Sequence, residues 1–292
     1  MFKINRYSKY GFFFVLPSLV YICFTLYYPL ITAFRDSFYK VNIMLHTRQW
    51  VGFSNFSMLF RHSSFQNSVI ITFKYVIMLV PALLFFSVLL AIIILRFKKK
   101  QTVDTISTIF FLPVITSLVS AGIIWQWIFN PALGVVNNVL NFCAFPYHSR
   151  WLQDPLAALP TLVIIGIWVR LGFDLVIFIT GILSIPQQYY EAAEIDGASE
   201  FQKITSITLP LLNPQIIMVS ILEFIFAFKV FDQIFVTTQG GPSGATKTIM
   251  VYLLKDVFTS NYSVACALSL IIVLFLFFIS FIQWKIIKKI EY

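Results

Sequence analysis

The chain has 292 residues, of which 59% are hydrophobic and only 11% charged, with a mean hydropathy of +0.86 and a formal net charge of +9. A soluble domain carries roughly 25% charged residues, so this composition excludes an ordinary water-soluble fold. The basic excess does not point to nucleic acid either, because its clusters abut apolar runs, where anchoring at an anionic lipid surface is the simpler account.

An apolar helix crosses a hydrocarbon layer about 30 Å thick in about 20 residues. Six stretches reach that length: 11–33, 69–95, 105–129, 157–183, 214–236 and 264–284. Their apolar runs are continuous rather than alternating, which predicts helices and not barrel strands. The expected fold is an all-α integral membrane protein with six transmembrane helices. Residues 1–68 read as a tail, the first span and its outside loop; residues 69–292 read as a five-helix core.

The first run follows Lys3, Arg6 and Lys9, as a signal peptide would, but it is long and no small-x-small cleavage pattern follows. It reads as an uncleaved span. The second contains Lys74 near its outer end, placed to snorkel, and is followed by Arg96, Lys98, Lys99 and Lys100. The third ends on Trp125 and Trp127, which suit an aromatic belt at the membrane boundary. The fourth carries Trp168, Arg170, Phe173 and Asp174, with Arg170 and Asp174 four apart on one face.

Residues 184–213 interrupt this pattern with water-soluble sequence. Glu191, Glu194, Asp196 and Glu200 against Lys203 give a net charge of −3. Ser184 as a cap, Pro186 in a first turn, and Pro210 and Pro214 at the end punctuate helical structure, with Gly197 separating two short helices. In the second, Phe201, Ile204, Thr208 and Leu211 recur at spacings that predict one apolar stripe. A lipid-surface helix usually carries Lys and Arg on its polar face, so the acidic charge argues against that fate. The small surface of Ala192, Ala193, Gly197 and Ala198 points instead to close approach by another protein, with Glu191 placed to meet a basic group.

The fifth span contains Glu223, Lys229 and Asp232, of which the last two are spaced to pair. The sixth is followed by Lys285, Lys288 and Lys289. Basic residues are retained on the cytoplasmic side. Segments on the side of 184–213 hold 11 Lys and Arg in 57 residues, against 7 in 89 on the other side, so both termini are expected to be cytoplasmic.

Ionisable groups inside a membrane are costly and by default face the bundle interior. Trp168, Arg170, Phe173, Asp174, Glu223 and Asp232 offer the mixture of charged and aromatic groups that a sugar pathway needs, although a neutralised network holding helices together accounts equally well for any one of them. Cys23 and Cys266 lie in spans and Cys143 in an outside loop, and His46, His62 and His148 are scattered over outside loops, which suggests neither disulfide nor metal. Gly240–Thr248 has a passing likeness to a phosphate-binding loop but lacks its Gly-Lys-Ser/Thr ending. The chain is not expected to be an enzyme.

Glu191-Ala192-Ala193, then Gly197, then Ile207-x-Leu209-Pro210 resembles the EAA loop of ABC-transporter permeases served by an external binding protein. Trp50–Phe60, Asn130–Asn137 and Thr237–Thr246 resemble outside loops of the sugar-importing branch of that family. The resemblance implies a type I importer permease forming half of a translocation pathway, with residues 184–213 as a coupling helix seated on a cytoplasmic ATPase. It assigns Glu191 the polar contact, Ala192, Ala193 and Gly197 the close packing, and Ile207, Leu209 and Pro210 the return to the membrane. It implies as partners a second homologous permease, two ATPase subunits and an extracytoplasmic solute-binding protein. ATP and Mg would be used by the ATPase and no cofactor bound by this chain. The alternatives are an ion-gradient-driven secondary transporter, which inverted repeats would support, and a membrane enzyme, which would need a catalytic constellation; neither feature is evident in the sequence.

Overall fold

The computed structural model describes residues 6–42, 45–97, 99–143 and 150–290, with backbone alone for 6–10 and 286–290. Lys3, Lys98 and His148 lie outside the described residues, as do the side chains of Arg6, Lys9, Lys288 and Lys289. The chain forms two compact units, Met1–Ser63 with Leu253–Phe275 and Ser64–Tyr252 with Leu276–Tyr292.

In the first unit, α1 (Arg6–Ile22) passes through a π-helical stretch, Cys23–Tyr27, into α2 (Tyr28–Asp36). Together they supply the first apolar span, Gly11–Asp36. Beyond it the largely helical chain carries one small sheet, in which β1 (Tyr39–Asn42) and β2 (Thr47–Trp50) form an antiparallel hairpin with Tyr39 facing Trp50. The hairpin is tied down locally. Asn55 Nδ2 donates to the carbonyls of Ser37 and Tyr39 at 2.8 and 3.0 Å, and the Phe38 ring stacks on Trp50 at 5.8 Å. The Trp50–Phe60 motif thus continues through α3 (Ser54–Arg61) as the far wall of a small aromatic cluster with Phe53 and Phe56.

The second unit opens with α4 (Ser63–Ile94). The third predicted span is not one straight helix: α5 (Lys100–Ile115) and α6 (Leu118–Ile128) meet at an angle of 100°. Thr116 and Ser117 between them are extended, with ψ of 134° at both. Pro113 contributes to the break, because it has no N–H to extend the helical ladder and its carbonyl is taken by Thr116 N in a tight turn. The five continuous candidate spans therefore become six only if the bent pair counts as one.

After α7 (Val135–Phe142) and a 3₁₀ turn at Trp151–Gln153 comes α8 (Ala158–Leu183), the central helix. Some 61% of its most apolar window is buried, against 28% or less for the other continuous spans. Close approach explains its position. A side chain on Gly172 would collide with the carbonyl of Phe110 on α5, so the two helices meet backbone to backbone there.

α9 (Gln187–Ile195) and α10 (Glu200–Lys203) follow, then a π-helical stretch Ile204–Thr208, α11 (Leu209–Leu211), α12 (Asn213–Phe228) and α13 (Asp232–Thr237). Leu175, Phe178 and Ile179 of α8 form a core with Ala91 and Ile94 of α4 and with Leu212 and Val219. α12 and α13 make up the fifth span, interrupted at 229–231. α14 (Ile249–Val251) ends the unit's continuous run. Its neighbours α15 (Phe258–Ser260) and the start of α16 (Tyr262–Ile290) belong to the first unit, where Ser263 Oγ accepts from Val41 N at 2.8 Å.

Candidate functional site

Two places gather the polar chemistry of the second unit. One is the segment 184–213. Ser184 does not open its first helix as the sequence suggests. Its N–H instead closes α8 on Thr180 and Gly181, and Pro186, with extended ψ of 130°, takes the N-cap of α9. Gly197 does separate two helices, adopting φ +74° in a turn that an L side chain rarely enters. Beyond it Ser199 and Gln202 form a reciprocal capping box.

The segment is braced by its own charges. Lys203 is buried and donates to Glu194 at 2.7 Å and to Glu200 at 3.0 Å. Hydrogen bonding to Glu194 and then Glu200 holds the Lys203 ammonium above its ordinary range, and the bond from Lys203 holds Glu194 below its own. Two of the four carboxylates are thereby engaged internally. Glu191 and Asp196 face outward with no ion pair among the described residues, beside exposed Ala192 and half-buried Ala193 and Ala198.

The expected apolar stripe forms only in part. Ile204 is half-buried and Thr208 buried, but Phe201 is 73% exposed and Leu211 also exposed, while Lys203 and Leu212 turn inward on either side of the π-helical stretch at 204–208. Pro210 and Pro214 do not end a helix; each sits in the first turn of the next one, where a missing N–H costs nothing. Ile207 and Leu209 are half-buried and Pro210 is exposed.

The second place is a cavity of about 390 Å³ lined by Leu118, Arg170, Phe173, Phe226, Lys229, Asp232 and Gln233, among others. It lies where both broken spans are interrupted, since Leu118 begins α6 and Lys229–Phe231 form the break between α12 and α13. Non-helical backbone at membrane depth is tolerated where it lines a polar cavity or is buried in protein. Arg170 reaches across from α8 to Glu223 on α12, its Nε donating at 3.0 and 3.2 Å and its Nη2 to the same carboxylate. The rings of Phe173 and Phe226 flank the guanidinium at 4.7 and 4.5 Å. Gln233 Nε2 donates to the Leu162 carbonyl at 2.6 Å and so pins the broken span to α8.

Of the residues the sequence singles out, Arg170, Phe173 and Asp232 line this cavity. Glu223 stands behind it as the partner of Arg170. Asp174 is fully buried and is not among the cavity lining. Trp168 packs edge-on against Trp125 at 5.5 Å, away from the cavity lining. Lys229 and Asp232 make no ion pair within 4 Å, contrary to their spacing, because the helix unwinds between them. Lys229, Phe226 and Gln233 are lining residues that no sequence assignment to the pathway included. Their three- and four-residue spacing on the fifth span was the available signal. Lys74 is exposed, as snorkelling requires.

Residues 50–292 match the family model described as binding-protein-dependent transport system inner membrane component. The chain belongs to that family. The permease is 31% identical to a probable ABC transporter permease protein of Brucella suis, over 98% of this chain and 99% of that one. It is 29% identical to the trehalose/maltose transport system permease protein of Thermococcus litoralis, over 91% of this chain and 89% of that protein. Among solved structures, a chain of a bacterial ABC transporter involved in import of the acidic polysaccharide alginate superposes with a TM-score of 0.87 at 24% identity, covering 99% of the permease and 98% of that chain. That likeness concerns the fold.

Proposed function

We propose that the permease forms half of the translocation pathway of an ATP-driven importer for a sugar or sugar-like solute, and that segment 184–213 is its coupling element to a cytoplasmic ATPase. The observation that carries this reading is the braced acidic segment between α8 and α12. Lys203 holds it in shape from within, and Glu191, Ala192 and Gly197 remain on its outer surface for a partner. Ile207, Leu209 and Pro210 return the chain to α12.

The sugar class rests on relatives named as sugar-transport permeases, together with the aromatic and charged lining of the α8–α12 cavity. Arg170, Phe173 and Asp232 contact the solute in this reading, with Glu223 orienting Arg170, and Trp168 and Asp174 serving the pathway through the helix that carries them. The partners are a second homologous permease, two ATPase subunits that use ATP and Mg, and an extracytoplasmic solute-binding protein. Both termini are cytoplasmic, on the side of 184–213. An ion-gradient carrier is not favoured, because membership of a binding-protein-dependent family already supplies another energy source.

The test is affinity purification of the tagged chain in mild detergent with mass spectrometry of its companions, followed by uptake in proteoliposomes. Recovery of an ATPase and a second permease, both lost on Glu191→Lys, supports the reading. A lone chain that accumulates solute under a proton or sodium gradient overturns it.

A further inference from the structure

A second cavity, of about 310 Å³, lies at the other end of the bundle from segment 184–213. The topology fixes this. α8 begins at Ala158 and ends at Leu183, where the segment starts, while the cavity is lined by Gln126, Trp127, Phe129, Asn130, Leu152, Gln153 and Thr237, which lie at the opposite ends of their spans. It joins two of the loop motifs that the sequence singles out, the one starting at Asn130 and the one starting at Thr237.

Its walls are built rather than incidental. Asn130 Oδ1 accepts from the backbone N–H groups of Ala132 and Leu133 at 2.9 and 3.0 Å, closing the turn at the cavity's edge. Asn137 braces the same corner, donating to the Pro131 carbonyl at 2.9 Å and accepting from Trp151 Nε1 at 2.7 Å. Gln126 Nε2 donates to the carbonyls of Val236 and Thr237 at 2.9 and 2.7 Å, which ties α6 to the end of α13. Behind them Phe129 stacks on Trp125 and meets Trp151.

These bonds leave a particular set of groups unspent. Among the described residues, Gln126 Oε1, Asn130 Nδ2 and both amide atoms of Gln153 have no hydrogen-bond partner, and Thr237 Oγ1, which donates to the Gln233 carbonyl at 2.7 Å, keeps its acceptor capacity. The Trp127 indole is 67% exposed beside them. Neutral amides that both donate and accept match hydroxyl groups, and an indole face covers the C–H surface of a pyranose ring. No charged side chain is among the lining residues, unlike the α8–α12 cavity with Arg170, Lys229 and Asp232. The volume is at the small end of ligand pockets, about 300–1,000 Å³, and fits one sugar unit rather than a chain.

We infer that this outer cavity is a sugar subsite that takes one uncharged pyranose unit of the solute before it reaches the spans, gripped by the Gln126, Asn130 and Gln153 amides against Trp127. The inference rests on the importer reading. It makes selection against charge a property of the outer mouth, whereas the inner cavity, with its charged groups, is where the solute is held between helices.

The experiment uses the full chain in nanodiscs and saturation-transfer NMR with four neutral trisaccharides, malto-, cello-, xylo- and mannotriose, and with trigalacturonate as the anionic counterpart. At least one neutral probe is expected to bind, roughly tenfold or more tighter than trigalacturonate. Trp127→Ala and Gln153→Ala, both at exposed positions, are each expected to weaken it by roughly tenfold, while Lys74→Met, exposed and in the lining of neither cavity, leaves it unchanged. Binding that survives both outer variants and disappears in Lys229→Met overturns the inference, as does binding of no neutral probe. Uptake by the purified assembly separates the two levels. Sugar transport with wild-type KM in both outer variants removes the outer subsite and leaves the importer reading standing, whereas an assembly that transports no sugar removes both.

Discussion

Arg170 and Glu223, 53 residues apart, form a fork between α8 and α12, with Arg170 Nε within 3.2 Å of both carboxylate oxygens. Glu223 is fully buried and the Arg170 side chain 18% exposed. Two charges drawn from water repay their desolvation only while both are present, so removing one is far worse than removing both. Glu223→Ala is expected to destabilise the chain by about 3 kcal/mol, the low end for a buried pair because Arg170 keeps some access to the cavity. Arg170→Met with Glu223→Met is expected to cost much less than the sum of the single variants. A double-mutant cycle on unfolding in detergent reads this out; additive losses would mean that the fork does not couple the helices.

At Gly197 the backbone is left-handed and the space beyond it open, since a Cβ there would meet nothing within 4 Å. Asp tolerates that backbone region better than most residues, so Gly197→Asp keeps the turn while placing a charged side chain on the outer surface. Insertion and thermal stability are expected to change little, and ATP-dependent uptake to fall by at least about tenfold through loss of ATPase seating. Glu191→Lys is expected to act alike. Normal uptake in both variants would remove the coupling assignment.

The brace at Lys203 gives the segment a defined pH range. Glu194 is held below its ordinary range, so its contribution is present at neutral pH and is lost as pH falls through that lowered value. Lys203 is held above its ordinary range, so its contribution is complete at neutral pH and is lost as pH rises through the raised value. Hydrogen-exchange protection of residues 187–203 is therefore expected to be flat from about pH 5 to pH 9 after correction for intrinsic rates, weakening on the acid side first. Lys203→Met should remove the acid limb. A segment whose protection changes steadily through pH 7 would contradict the brace.

Length and continuity made the spans readable, because six apolar runs have few other fates, and the EAA pattern made segment 184–213 readable, because its fixed residues are local. What resisted reading depends on contacts distant in sequence. Pro113 hints at the break before Thr116-Ser117 without announcing a 100° bend, and Lys229-Val-Phe231 contains no Gly or Pro to mark the second break. Arg170 has Asp174 one turn away, which suggests a local pair, yet the fork reaches Glu223 on another helix. The hairpin Tyr39–Trp50 is set by Asn55 and by ring stacking on Phe38, neither visible in strand periodicity four residues long.

In the proposed pathway, the lining of the cavity between α8 and α12 sets residues expected to touch solute apart from those that shape the helices. Lys229 and Asp232 line it without pairing to each other, whereas Asp174, on the same helix as Arg170, is fully buried and outside the lining. Losing a charged hydrogen bond to a sugar hydroxyl costs about 1.5–3 kcal/mol, which corresponds to roughly 10- to 100-fold in apparent affinity. Lys229→Met and Asp232→Asn are each expected to raise KM for uptake by about that factor with kcat reduced less. Asp174→Asn keeps the shape of the side chain and removes no contact to solute, so its KM should stay within about twofold of wild type. An Asp174→Asn variant whose KM rises as much as that of Lys229→Met would place Asp174 on the pathway in a conformation other than this one. Unchanged KM in all three would take the pathway out of this cavity.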